Sequence, residues 1–515
     1  MKLLRGVLLL TCMLLLGACA TPRRDPARSE LPLPERSEPT RLEQLAEREL
    51  GASPQLNAFR LLPESVEALL ARLMLARTAG RSLDLQYYIW RDDLTGRLLT
   101  QALLEAADRG VRIRVLLDDV GSSANDKLLL ALDAHPQVEI RLFNPVSSRS
   151  FRTLGMVQDF SRINRRMHNK AFLADRKMAI VGGRNIGDEY FGASNDIAFG
   201  DLDVLTFGPV LSELQDSFQR YWDSPAAIPI EDLLNDVAGP DELEALRRDL
   251  TGFLVTQRDS PYAQLGSSIL ATWFSNAQTA FHRGDARVLQ DDPAKISRPP
   301  GDMAGTLITQ FGYSLIQPAE EVLLVSPYFV PGKAGLEWFR GLTARGIRVT
   351  VLTNSLAASD VAAVHSGYER YRKALLEAGV RLYEMRPESD PDGERKHTHM
   401  YLGSSRASLH AKTFVFDRSS VFIGSLNLDP RSVKLNTEIG LLCESPAMAE
   451  ELSSGLEDEL DAVAWRLELA ADGNGLVWVE QTPAGELRHT REPQASSLRR
   501  FSVWLLGLLP IESLL

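Results

Sequence analysis

Cysteine is almost missing from this chain: of 515 residues only Cys12, Cys19 and Cys443 carry a thiol. Two of them fall in the first 19 residues, so the body holds a single one. That excludes an intramolecular disulfide framework and a cysteine-built zinc site. Positive charge is in deficit as well, with 57 lysines and arginines against 68 aspartates and glutamates and a net charge of −11. Such a balance argues against wrapping nucleic acid in a broad basic surface. Long apolar runs are also scarce, because Val7 to Leu16 is short for a bilayer span and Phe501 to Leu509 is shorter still. What is present is ample material for two domains with sizeable cores, since 44% of the residues are hydrophobic.

The N-terminus reads as a targeting segment. Lys2 and Arg5 precede the apolar run, which closes at Leu16-Gly17-Ala18-Cys19. That ending resembles a bacterial lipobox and implies Cys19 as the lipidated first residue of the exported body. A plain secretion signal or an uncleaved anchor is the alternative. Either way the expected location is a bacterial membrane facing the periplasm, inner or outer. Ala20 hints at the outer one. Thr21 to Thr40, rich in Pro, Arg, Glu and Ser, reads as a flexible tether. The expected organisation is a leader at 1–19, a tether at 20–40, a first lobe at 41–225, an inter-lobe connection at 226–300, a second lobe at 301–470 and an extension at 471–515.

The two lobes repeat one another. Leu83 to Trp90 reads as a strand, Gly96 to Arg109 as a helix and Val111 to Leu117 as a buried strand ending at Asp118 and Asp119. In the second half Val322 to Val325, a helix from Gly335 to Arg345 and Ile347 to Leu352 follow the same order. Strand, helix, strand implies parallel neighbours and an α/β fold with sheets flanked by helices. Arg109-Gly110-Val111-Arg112-Ile113 matches Arg345-Gly346-Ile347-Arg348-Val349, so the repeat covers a whole domain. Two such halves are most simply arranged about a pseudo-twofold axis with the site at their interface.

Each half also carries one copy of a residue constellation. His168, Lys170, Asp175, Gly182 and Asn185 recur, with identical spacing, as His410, Lys412, Asp417, Gly424 and Asn427. In His-x-Lys on an extended strand both side chains share a face, placing an imidazole and an ammonium in one site. Apolar runs follow, from Ala171 and from Thr413, then Met178 to Val181 and Val421 to Ile423. The second pair ends at Gly-Gly-x-Asn and Gly-Ser-x-Asn, where Gly183, Asn185, Ser425 and Asn427 are expected to approach and hydrogen-bond a ligand. A nucleophile or acid, a fixed positive charge and neutral donors suit a phosphate diester. Asp175 and Asp417 fall on the far side of the strand by alternation and are expected to be structural.

These residues reproduce twice the His-x-Lys-x4-Asp signature, and the chain resembles the phospholipase D superfamily. Longer strings, namely Leu83 to Trp90, Asn164 to Lys170, Gly182 to Tyr190, Ser408 to Phe414 and Gly424 to Ser432, look like the bacterial cardiolipin synthases, nearest their C-type branch. The resemblance runs from about Leu42 to the C-terminus. It implies two phospholipase D-like lobes, each a mixed sheet flanked by helices, and a covalent two-step phosphatidyl transfer. His168 is expected as nucleophile and His410 as acid, then base, with Lys170, Lys412, Asn185, Asn427 and Ser425 on the phosphate oxygens. In families of this type a glutamate after the second motif orients an imidazole, which points to Glu438; Asp203 is expected to hold the equivalent place in the first copy. Phospholipids, phosphatidylglycerol or phosphatidylethanolamine, are the implied partners at a membrane surface, with no cofactor, no metal and no nucleic acid. Hydrolysis to phosphatidic acid is the second reading and a nuclease the third.

Four features stand apart. Arg162, Arg165, Arg166, Arg176, Lys177 and Arg184 crowd the first motif, either to draw an anion or as a solvated basic face. His397 and His399 pair in a polar loop without a third ligand, so no metal is expected there. His365 either lines a substrate tunnel or starts a helix. Ser496 to Leu509 is polar and basic, then apolar with Trp504, and either lies at a membrane interface or packs on the body.

Overall fold

The computed structural model describes residues 31–35, 37–122, 126–146, 160–194, 198–257, 262, 281–313, 317–387, 407–473, 475–510 and 512. Cys19, His397 and His399 lie outside the described residues.

The chain begins with helix α1 (Arg41–Leu50), capped by Thr40 in a reciprocal arrangement with Glu43. Then come β1 (Asn57–Leu62), α2 (Ser65–Thr78), β2 (Ser82–Tyr87), α3 (Leu94–Asp108), β3 (Arg112–Asp118) and β4 (Val138–Phe143). Helix α3 starts two residues before the expected Gly96 because the Asp93 carboxylate accepts the Gly96 amide, fixing Asp93 as the cap. β2, β3 and β4 pair in parallel, as the crossover pattern implied. The hairpin β5 (Ala171–Ala174) and β6 (Met178–Gly182) adds antiparallel strands beside β2. β7 (Ala198–Gly200), β8 (Asp203–Phe207), α4 (Val210–Trp222) and β9 (Ala227–Pro229) complete the first lobe. Its strand order is β9-β4-β3-β2-β5-β6-β8-β1.

After α5 (Pro240–Thr256), the span read as a connection supplies β10 (His282–Gln290). Its first residues pair with β1, and Asp285 to Gln290 pair with the second lobe. β10 stands to the second lobe as β1 does to the first, so the two sheets become one continuous sheet of 18 strands among the described residues. Alternating polar and small residues in His-Arg-Gly-Asp-Ala-Arg hide this strand from a search for apolar runs.

The second lobe repeats the first with β11 (Glu321–Val325), α6 (Gly332–Ala344), β12 (Arg348–Asn354), α7 (Ala362–Glu369), β13 (Arg381–Met385), β14 (Ala407–Leu409), β15 (Thr413–Phe416), β16 (Ser420–Gly424) and β17 (Ile439–Glu444). α8 (Pro446–Val463), β18 (Ala464–Leu469), β19 (Leu476–Thr482), β20 (Gly485–His489) and α9 (Ser497–Gly507) follow. β11, β12 and β13 are parallel, and β15, β16 and β17 run antiparallel beside them.

One apolar core runs through the interface. Phe172, Ile180 and Val204 of the first lobe share it with Val415, Ile423 and Leu441 of the second. Burial of this kind contributes roughly 25 cal/mol per Å². The lobes therefore hold their relative position through packing as well as hydrogen bonds.

Candidate active site

Each motif hairpin turns on its aspartate. Asp175 and Arg176 have φ of 52° and 59°, Asp417 and Arg418 of 49° and 47°, the left-handed pair at the centre of the turn that closes each three-residue hairpin connection. The Asp175 carboxylate accepts the amides of Gly80, Arg81 and Ser82 at 2.7–3.1 Å. Asp417 accepts those of Ala319, Glu320 and Glu321 at 2.8–2.9 Å. Both aspartates thus pin the start of the neighbouring strand, at the far end of the hairpin from the histidines.

The histidine segments precede their strands, and each is stitched to the opposite lobe. Met167 forms a parallel bridge with Thr437, and the His168 amide donates to the Thr437 carbonyl at 2.9 Å. In mirror fashion β14 pairs with β7 so that Leu409 faces Gly200, whose carbonyl accepts the His410 amide at 2.7 Å. The ends of β3 and β12 fix the residue before each histidine. Asp118 accepts the Met167 amide at 2.9 Å, and Asn354 accepts the Leu409 amide at 2.9 Å.

The same symmetry assigns the carboxylates. The Nδ1–H of His168 donates to Oε2 of Glu438 at 2.9 Å, and the Nδ1–H of His410 donates to Oδ2 of Asp201 at 2.6 Å. Each imidazole leans on a carboxylate from the other lobe, and its Nε2 is left for chemistry. Asp203 does not hold this place. It is fully buried against Arg72 at 2.9 Å and Arg184 at 3.2 Å. The ladders show why: Gly182 faces Asp203 where Gly424 faces Gly440, so Glu438, two residues before Gly440, corresponds to Asp201. In the sequence only the two-residue likeness of Asp201-Leu202 to Glu438-Ile439 hints at this, too short a match to fix the alignment without the ladders.

Two of the expected phosphate contacts are corrected. The Ser425 hydroxyl donates to Glu438 at 2.5 Å and accepts from Ile439, so it braces the carboxylate instead of a phosphate. The Gly183 amide donates to the Leu202 carbonyl at 3.3 Å. Gly183 is there because a Cβ would lie 2.1 Å from Oδ1 of Asp201. Asn185 differs: its Oδ1 accepts the Ile89 amide at 3.1 Å, and its buried Nδ2, near Tyr190, makes no close hydrogen bond among the described residues. The Oδ1 of Asn427 is likewise buried without one. The Asn185 N–H is the kind of group a phosphate oxygen would accept from, whereas the Asn427 Oδ1 is an acceptor and calls for a donor instead.

The lysines complete the cavity. Lys170 donates to the His168 carbonyl at 2.5 Å, and Lys412 donates to the His410 carbonyl with its Nζ 3.1 Å from His410 Nδ1. Burial brings Lys170 down to about 7 and Lys412 to about 8, and the Lys412 charge acts in the same direction on Lys170. Burial also carries His168 down to about 4 against the pull of Glu438, and lowers His410. Asp201 and Glu438 resist burial and stay below the usual carboxylate range because the imidazoles, then the lysines, hold them ionised. Tyr88 packs edge-on against His168 at 5.3 Å between ring centres, as Tyr190 does against His410 at 5.3 Å.

The basic cluster around the first motif is structural in its strongest members. Arg166 is buried on Asp118 at 2.9 Å, Arg184 on Asp203, and Lys177 pairs with Glu43 at 2.7 Å. His365, within α7, is buried between Glu492 and Arg372 at 3.1 and 2.6 Å and ties the C-terminal extension to the second lobe.

Comparison with known proteins follows the same lines. A family model described as "Cardiolipin synthase, PLD-like domain" matches residues 71–222 and 314–460. Over 456 residues, 88% of this chain and 95% of that relative, the sequence is 42% identical to cardiolipin synthase C of Escherichia coli (strain K12). A relative from Helicobacter pylori J99, described as an uncharacterized protein, is 33% identical over 90% of this chain and 91% of its own length. The crystal structure of phosphatidylserine synthase from Haemophilus influenzae Rd KW20 shares the fold, with a TM-score of 0.55 over 92% of this chain and 100% of that one at 14% identity.

Proposed function

This chain belongs to the phospholipase D-like cardiolipin synthase family, and from that membership we propose that it is a phosphatidyltransferase making cardiolipin from two molecules of phosphatidylglycerol. The observation that carries the reading is the pair of imidazoles, each braced at Nδ1 by a carboxylate of the other lobe.

His168 is the nucleophile. Its Nε2 lone pair attacks phosphorus of the first phosphatidylglycerol, and the bond from phosphorus to the headgroup glycerol oxygen breaks. His410, neutral in the free site and taking up a second proton as the anionic phosphate settles beside it, gives its Nε2 proton to that oxygen, and glycerol leaves. The terminal hydroxyl of a second phosphatidylglycerol then yields its proton to His410 and attacks phosphorus. The phosphorus–nitrogen bond to His168 breaks and cardiolipin forms. Lys170 and Lys412 balance charge on the non-bridging oxygens in both steps, and the Nδ2–H of Asn185 donates to one of them. Asp201 and Glu438 fix the ring tautomers and stabilise the imidazolium that forms at His410 and the loaded ring at His168.

Phosphatidylglycerol vesicles with chelator test this. Cardiolipin and free glycerol are the expected products by mass spectrometry, and phosphatidic acid alone would instead mean hydrolysis. Export and acylation at Cys19 fit a reaction carried out on a membrane without nucleotide. Loss of the acyl group from the chain in Cys19→Ser, read by mass spectrometry, is the corresponding check, with release into the soluble fraction expected only where neither the C-terminal segment nor an uncleaved signal holds the chain.

A further inference from the structure

α9 is amphipathic the wrong way round for a helix packed on its own protein. Its inner side carries Val503, 2% exposed, against Leu356 and Ala495. Arg499 on the same side donates to the carbonyls of Ala357 and Ser359, and Arg500 to that of Ala495 at 2.8 Å. The outer side bears Leu498, Phe501, Trp504 and Leu505, with Leu508 and Leu509 just beyond, all between 46% and 77% exposed. Phe501 and Trp504 sit one turn apart with ring centres 5.7 Å from each other. Five to six large apolar side chains on one face form a patch that solvated surfaces rarely leave open.

The helix is tied to a segment that neighbours the catalytic groups. Arg499 grips the backbone of residues 357–359, and the next residue, Asp360, accepts the Tyr328 hydroxyl at 2.8 Å and acts electrostatically on Lys412. Whatever covers α9 therefore sits against the segment whose Asp360 acts on Lys412.

We infer that the outer face of α9 docks into the interfacial layer of a lipid bilayer and brings the catalytic groups to the membrane surface. Residues 501–510 hold no charged side chain, so nothing on this face matches a charged protein partner. The helix is 11 residues long, and no described helix is long and apolar enough to cross a membrane. An uncharged, aromatic-bearing helix of that length lies in the membrane plane with Trp at the headgroup boundary. The inference rests on the phosphatidyltransferase reading only for its purpose: bringing a water-insoluble substrate to the catalytic histidines.

The test uses the full chain on vesicles of phosphatidylglycerol and phosphatidylcholine with brominated acyl chains. Bromine should quench a share of tryptophan emission in the parent that is missing in Trp504→Phe, which distinguishes α9 from any N-terminal attachment. Equal quenching in both proteins overturns the inference. In a second arm Phe501→Ser/Trp504→Ser/Leu505→Ser should lower turnover on vesicles by about tenfold or more while leaving turnover of monomeric short-chain phosphatidylglycerol unchanged. An equal loss on both substrates overturns it, as does an unquenched dimer that the triple variant converts to monomer, which would assign the face to a second copy. A parent that turns over no phosphatidyl substrate would refute the enzyme reading, and quenching would still decide the helix.

Discussion

Oδ2 of Asp201 lies 2.6 Å from Nδ1 of His410, although the two residues belong to different lobes. The reverse crossing, Glu438 to His168, makes neither lobe a complete site alone. A chain reading of two independent motifs misses this exchange, and it governs what each substitution should do.

Asp201→Asn should keep the fold and lower kcat by roughly a hundredfold to ten-thousandfold, because the amide favours the wrong ring tautomer. Asp203→Asn should act on stability, at a cost of about 3–5 kcal/mol from leaving Arg72 and Arg184 buried without their counter-charge. Steady-state kinetics with a thermal melt on each variant separates the two. A melt shift without a kinetic defect in Asp201→Asn would return the role to another group.

Gly183→Ala should resemble Asp201→Asn. The added methyl would sit 2.1 Å from the Asp201 carboxylate and push it off His410. A kcat loss of about a hundredfold or more is expected from the misplaced carboxylate. Wild-type kcat in this variant would mean the carboxylate tolerates displacement.

Phosphodiester binding should take up protons. Lys170 and Lys412, brought down to about 7 and about 8 by burial, rise when an anion settles between them. A group whose pKa is higher in the complex binds its ligand best when already protonated. Affinity for a non-reactive phosphodiester is therefore greatest below about pH 7 and declines as pH climbs through these lysines. Titration calorimetry in buffers of different ionisation enthalpy reads the uptake directly, and proton release on binding would contradict it.

Asp175→Ala and Asp417→Ala each strip the acceptor from three backbone amides. A loss of about 1–3 kcal/mol in stability is expected for each, with kcat of the folded protein held within about twofold. Urea unfolding and active-site titration measure both quantities.

The duplicated spacing made the architecture readable, since His168 and His410 could be placed by counting and the hairpins by their apolar runs. The turn aspartates were readable for the same reason. The carboxylate for His410 was not. An insertion near Gly192 to Gly200 shifts the count, and only the pairing of Gly182 with Asp203 restores it. β10 escaped because its charged residues pair on backbone geometry, without an apolar run. Arg166 and Arg184 read equally as an anion trap or a solvated basic face and are neither, because composition cannot tell a solvated guanidinium from one buried on Asp118 or Asp203.

The covalent adduct tests the central claim most directly. Brief reaction with labelled phosphatidylglycerol, followed by peptide mass spectrometry, should find the phosphatidyl group on His168, and the label should persist longer in His410→Ala because no base activates the acceptor. Label on His410, or turnover surviving in His168→Ala, would contradict the account.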